Sequence, residues 1–151
     1  MNKKGLTLET LVKLLVAIPI VIIFAWLVIR ITSESDTQTV NSFNTLGSEL
    51  EQIIEDLETT NKAEITVPIY IHQDWAIRTA KKENSPPKCK QQPCLILHKK
   101  EDLNAIKDVI PFKDIQFIQF DPIVTPKSQI ISVKIIGEKT DSKITISIGK
   151  V

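Results

Sequence analysis

Glycine, histidine, cysteine and aromatic residues are all scarce in this chain. Its 151 residues include four glycines, two histidines, two cysteines and eight Phe, Trp or Tyr. Each shortage removes a class of chemistry. There is no glycine-rich phosphate loop, no Gly-x-Ser-x-Gly nucleophile turn and no His-Glu-x-x-His zinc helix. The length is too small for a barrel enzyme or a two-domain dinucleotide enzyme. A net charge of +1 gives no global argument for nucleic-acid binding. No catalytic residue and no cofactor site stand out, so the expectation is a protein that is not an enzyme. The acids Asp74, Asp114 and Asp121 read as solvated residues of turns and strand ends. The 42% hydrophobic content excludes a wholly disordered chain.

What is present is sharply segregated. Residues 1–31 carry a net +3, residues 32–60 a net −7 with no Lys or Arg, and residues 61–151 a net +5. Three charge characters predict three physical roles.

Residues 14–29 (LLVAIPIVIIFAWLVI) contain no charged or strongly polar side chain and are bracketed by Lys13 and Arg30. A hydrocarbon core of ~30 Å wants roughly 20 apolar residues in helix. Leu11, Val12 and Ile31 lengthen the run, and Lys13 and Arg30 can snorkel to the interfaces. This predicts a transmembrane helix over 11–31, with Trp26 as an interfacial aromatic and a kink at Pro19. Lys3, Lys4 and Lys13 precede the span's core and Glu34 and Asp36 follow it. The positive-inside rule therefore places the N-terminus in the cytoplasm and the remainder outside the cell membrane. The competing reading is a cleaved secretory signal. The run exceeds the usual h-region of about 7–15 residues, and no small-x-small site follows it. A buried helix of a soluble core is a third reading.

Within the acidic segment 32–60, residues 36–60 have a helical period. Val40, Phe43, Leu46, Leu50, Ile53, Ile54 and Leu57 recur at steps of three and four. Glu49, Glu51, Glu55, Asp56 and Glu58 take the polar side. Ser33, Ser35 or Asp36 is expected to cap the start, and Gly47 to weaken the middle. The expected role is an amphipathic helix packed on a sheet, with a self-association seam as the alternative.

Residues 61–151 read as a β-rich head. Ile65, Val67, Ile69 and Ile71 alternate with Thr66, Pro68, Tyr70 and His72, and Pro68 assigns the strand to an edge. Strands are also expected at 75–80, 94–98 and 115–120. A hairpin is expected from 130–136 and 143–148 around a turn at 137–142. Residues 102–109 read as a helical turn or two stopped by Pro111. The stretch 81–93 (KKENSPPKCKQQP) is a loop. Arg78, Lys81, Lys82, Lys88, Lys90, Lys99 and Lys100 in and beside it are either ordinary solvated charges or a patch for an anionic partner. The loop has no stacking aromatics, so no nucleic-acid partner is expected.

Cys89 and Cys94, with four residues between them, would form a disulfide in an extracytoplasmic head. The alternative is a zinc site from Cys89, Cys94, His98 and His72. The spacing is not the Cys-x-x-Cys of redox centres.

The opening residues, Lys3-Lys4-Gly5 followed by Glu9 and the apolar helix, resemble the class III signal sequences of type IV pilins and related archaeal surface proteins. That family has a basic leader, a small residue at the cleavage point and an early glutamate. The resemblance implies a prepilin peptidase cut between Gly5 and Leu6, after the leader residue Lys4. It leaves Glu9 fourth in the mature chain, where the family usually has its acid fifth. It also implies assembly through the hydrophobic helix with Glu9 meeting a neighbouring subunit's amino group. The local alternative for Glu9 is an i,i+4 pair with Lys13. The segment 11–15, the apolar helix, 42–44 and the Cys-x4-Cys-Leu-Ile-Leu run at 89–97 are also similar to uncharacterised single-span archaeal proteins.

The expected architecture is thus α+β and pilin-like: a leader (1–10), a transmembrane half-helix (11–31), an amphipathic acidic half-helix (32–60) and a small antiparallel β-sheet head (61–151). The expected function is a membrane-anchored filament or pseudopilin subunit at the cell surface, with other pilin-like subunits as partners. The alternative is an anchored, non-polymerising protein whose head binds an anionic ligand or a partner protein.

Overall fold

The computed structural model describes residues 8–120, 122–141 and 143–151. A single helix, α1, runs over Leu8–Thr59. Eight strands follow: β1 (Lys62–Ile71), β2 (Trp75–Ala80), β3 (Cys94–Lys99), β4 (Asp102–Pro111), β5 (Ile115–Phe120), β6 (Ile123–Val124), β7 (Gln129–Thr140) and β8 (Lys143–Lys150). Contacts divide the chain into two compact units between Ser35 and Asp36.

In the first unit, Lys13–Arg30 is long and apolar enough to cross a membrane. Its large side chains from Leu14 to Ile29 are exposed around the whole helix, Phe24 by 69% and Ile29 by 66%. No face is reserved for a protein core. Pro19 lies inside the helix without ending it. At the end of the apolar run the Arg30 guanidinium reaches back over the Trp26 ring (5.4 Å) and forward to Glu34 (3.2 Å).

In the second unit the predicted helical period is the buried face. Phe43, Leu46, Leu50, Ile53 and Leu57 are essentially inaccessible, while Glu51, Glu55, Asp56 and Glu58 are exposed. The buried stripe packs with residues of two four-stranded sheets, ordered β1-β7-β8-β5 and β4-β3-β2-β6. Val67, Ile69, Ile71, Val133, Ile135, Ile146 and Ile148 come from the first sheet; Ile77, Leu95, Leu97 and Ile123 come from the second.

Polar contacts fix where the helix lies. Ser42 Oγ accepts the Tyr70 N–H (3.0 Å) and Thr39 Oγ1 accepts the His72 N–H (3.1 Å). The Tyr70 amide lies on the edge of β1 that faces away from β7 and the His72 amide just beyond the strand's end, so helix side chains satisfy donors the ladder leaves over. Pro68 has the same parity and contributes no N–H to that edge, which is why proline is tolerated there. The Trp75 indole donates to Asp36 at 2.7 Å. Two glycines allow the close approach. A β-carbon on Gly137 of β7 would sit 2.6 Å from Leu57 Cδ1 and 2.7 Å from Ile53 Cγ2. One on Gly47 would run into Ile110 of β4.

Four expectations need correction. The head is two sheets, and one is mixed: β5 pairs with β8 in parallel while every other ladder is antiparallel. No helix starts at Ser33–Asp36, because α1 continues through; Asp36 holds Trp75 instead of capping. Residues 102–109 are the strand β4, not helical turns. Two register shifts against β3 interrupt its alternation and leave Ile106, Val109 and Ile110 at a helix-like spacing. Asp102 and Asp108 side chains bind the N–H groups of Asn104 and Val109, both at 2.9 Å, which blunts this edge. The last hairpin does not turn at Gly137, since β7 and β8 pair from Gly137 with Ile146 through to Thr140 with Lys143. Gly137 therefore belongs to β7, where the helix needs it.

The glycine contacts give a paired prediction. Gly137→Val should destabilise the head by ~1–3 kcal/mol through overpacking against Ile53 and Leu57. Gly149→Ala, with nothing within 4 Å of the added carbon, should stay within about 0.5 kcal/mol of the parent. Chemical denaturation of the full chain in detergent measures both, and equal effects would show that the helix is not held this closely.

Candidate binding groove and the disulfide loop

Residues 81–93 join β2 to β3 and contain no regular strand or α-helix. Two short 3-10 turns, Lys82–Asn84 and Pro87–Cys89, shape the segment. Pro86 and Pro87 set the backbone for the second turn, which closes with Cys89 N–H to Pro86 O (2.9 Å) and Lys90 N–H to Pro87 O (3.1 Å). Lys90 and Gln91 are left-handed, with φ of 53° and 59°. This reverses the chain so that Gln92 N–H reaches Cys89 O at 3.0 Å.

Cys89 and Cys94 are joined by a disulfide, their Cα atoms 6.0 Å apart. Both are fully buried, with Ala80 and Ile96 and the flanking Ile106 and Val109. Period two along β2 and β3 explains this second cluster. Ile77, Leu95 and Leu97 face the main core, and Ala80, Cys94 and Ile96 face the other way, where the loop covers them. The zinc reading is therefore overturned, because neither sulfur is available as a thiolate. His98 is buried, with Nδ1 2.7 Å from the Lys99 carbonyl oxygen, and His72 Nδ1 stands 3.5 Å from Asp74. Among the described residues no group of three His, Cys, Asp or Glu could hold a metal ion.

The loop forms one wall of an open groove of about 750 Å³. Lysines from three places converge on it: Lys81, Lys82 and Lys90 from the loop, Lys113 from the turn before β5, and Lys143 at the start of β8. Glu83 and Asp114 are the acids in its lining. Phe112, Ile115 and Phe117 supply the apolar part; Phe112 and Phe117 meet edge to face with centroids 6.0 Å apart. The Phe112 N–H donates to Pro93 O at 2.8 Å, which fastens the end of the loop to this floor. Among the described residues none of the five lysines has an ion-pair partner.

The seven-residue basic patch expected from sequence is divided by the fold. Lys81, Lys82 and Lys90 line the groove. Lys88 is exposed on the second 3-10 turn. Lys99 lies over the Trp75 ring, with Nζ 4.1 Å from its centroid. Lys99 and Lys100 border a different hollow that also holds Asp74, Glu101 and Asp102. Arg78 stands opposite Ile96 in the sheet, with Nε buried and without a hydrogen-bond partner. Lys113 and Lys143 were not singled out from sequence. They meet because parallel pairing sets Ile115 beside Ile144. Of the residues tied to the pilin resemblance, Lys4, Gly5 and Leu6 lie outside the described residues. Glu9 lies within α1, and its side chain is likewise outside the description.

Closing a loop this short should add ~2 kcal/mol, the low end for disulfides. Reduction, or Cys89→Ser with Cys94→Ser, should lower stability by about that amount. It should also open the loop to trypsin at Lys88 and Lys90 while the sheets stay folded. Limited proteolysis with mass mapping checks this; unchanged cleavage would mean that the surrounding turns alone hold the loop. No family model, curated protein or solved structure matches the chain.

Proposed function

We propose that this chain is a membrane-anchored, pilin-like structural subunit. The observation that carries the reading is the change of character along one unbroken helix. Residues 14–29 of α1 expose apolar side chains on every side, whereas Phe43 to Leu57 bury a single stripe in the head. A helix that is apolar all round belongs in lipid or among like helices. An α+β head on the second half of the same helix is the division of labour the N-terminal resemblance implies. In this reading the N-terminus is cytoplasmic and the head extracytoplasmic, where the Cys89–Cys94 disulfide is stable. A prepilin peptidase cuts after Gly5, and Glu9 pairs with a neighbouring amino group in an apolar filament core that penalises a lone carboxylate. The role is structural rather than enzymatic.

A second reading is favoured by the groove: an anchored head that binds an anionic ligand and never polymerises. The two differ at Glu9. N-terminal sequencing of protein from its native membrane should give a chain starting at Leu6. Glu9→Leu should abolish filaments seen by electron microscopy and leave the head's denaturation midpoint unchanged. A chain that retains residues 1–5, together with a silent Glu9→Leu, would sink the pilin-like reading in favour of the anchored binder.

A further inference from the structure

We infer that the lysine groove of one head receives the acidic ridge of α1 from a second copy of the chain. The inference rests on the structural-subunit reading and names a head-to-head contact within it.

The ridge is convex and the groove concave. Glu51, Glu55 and Glu58 are all exposed and succeed one another at steps of four and three. They form a stripe ~10 Å long on the outer surface of the helix. The groove, at about 750 Å³, has room for such a stripe. Among the described residues its five lysines outnumber its two acids, so the charges of ridge and groove are opposite.

Neither surface is satisfied within its own chain. Among the described residues Glu51, Glu55 and Glu58 have no ion-pair partner, and neither do the groove lysines. The ridge is also unfavourable in isolation. Glu51 and Glu55 are like charges at i,i+4. Glu55, Asp56 and Glu58 crowd the C-terminal end of α1, which is already the negative pole. That last turn contains no basic residue. Lys139 Nζ reaches the Glu58 carbonyl oxygen at 3.5 Å and so relieves part of the pole, but among the described residues it makes no ion pair with these carboxylates. A cationic groove from another copy relieves both terms.

The contact joins two different surfaces, so each head has one of each to offer. Such a contact closes reciprocally between two copies, closes a ring or extends into an open assembly, according to the rotation that relates the copies.

The test uses the full chain in a non-ionic detergent, with the apolar helix covered. A mixture of 14N and 15N copies is treated with a zero-length carbodiimide, and mixed-isotope products are mapped by mass spectrometry. Cross-links are expected between Lys81, Lys82, Lys90, Lys113 or Lys143 of one copy and Glu51, Glu55 or Glu58 of another. Their yield should fall at least about tenfold between ~50 mM and ~500 mM salt, because screening shortens the range of exposed charges. A groove variant (Lys82→Glu, Lys90→Glu, Lys113→Glu) and a ridge variant (Glu51→Lys, Glu55→Lys, Glu58→Lys) should each lose self-association by sedimentation. A one-to-one mixture of the two should regain it. Cross-links confined to single copies, or no recovery on mixing two folded variants, would overturn the inference. So would a ridge variant that associates normally while the groove variant alone loses binding to a sulfated polysaccharide probe; that result assigns the groove to a polyanion. Because the assay needs neither leader cleavage nor Glu9, its failure is distinct from failure of the pilin-like reading.

Discussion

The second half of α1 lies close against both sheets, and most of the head's order follows from that contact. Ile53 and Leu57 rest where Gly137 leaves out a side chain in β7, and Ile110 of β4 fills the space left by Gly47. Withdrawing the helix would uncover the largest apolar side chains of the core, Phe43, Leu46, Leu50 and Leu57 among them. It would also break the hydrogen bonds that Ser42 and Thr39 accept from the Tyr70 and His72 amides. Apolar burial and edge satisfaction therefore depend on one helix position. The same helix carries the exposed apolar segment at its other end, so the element that completes the head's core is also the element proposed to anchor it.

The parts of this fold that local pattern specifies were legible in the sequence. The stripe from Val40 to Leu57, the alternation in β1, the edge assignment from Pro68 and the strands β2, β3 and β5 all follow from period and composition. What escaped was set by partners remote in sequence. Strand β4 looked helical because bulges against β3 erase its alternation, and bulges are a property of the pairing, not of the strand alone. Gly47 read as a weakness in a helix; its purpose is visible only with Ile110 beside it. The groove was half visible. Lys81, Lys82 and Lys90 sit in one polar loop, but Lys113 and Lys143 join them through a parallel β5–β8 pair whose strands are separated in the chain by β6 and β7. No local signal announces such a pairing. Lys99 drew attention as part of a basic cluster, yet it covers Trp75.

The loop that walls the groove is polar, proline-rich and without ladder hydrogen bonds, a composition that by itself favours a mobile segment. It is held by closure at several points. The disulfide ties Cys89 to the first residue of β3, Pro86 and Pro87 restrict the backbone ahead of it, and Phe112 bonds to its last residue. Left-handed backbone at Lys90 and Gln91 is unfavourable for side chains with a β-carbon. Such conformations persist when the surroundings over-determine them. Burial of the disulfide in an apolar cluster of its own joins the loop to the sheet, so the lysines it carries are presented from a fixed wall.

The charge pattern has consequences beyond any single chain. Residues 36–151 hold sixteen acids and fifteen bases, close to balance. Among the described residues few of these are paired; Lys62–Glu138 at 3.2 Å and Lys134–Glu64 at 2.7 Å are ion pairs across the β1–β7 ladder. Exposed pairs of this kind contribute little to stability. A head that is nearly neutral overall does not repel its copies at long range, while separated patches of opposite sign still orient their approach. A weak, salt-sensitive contact between free heads would be short-lived. The proposed anchoring by the apolar helix would change the balance, because tethered heads share a surface and meet at a raised effective concentration. In the proposed arrangement the two ends of α1 act in sequence: the apolar half concentrates the heads, and the acidic ridge then selects the groove.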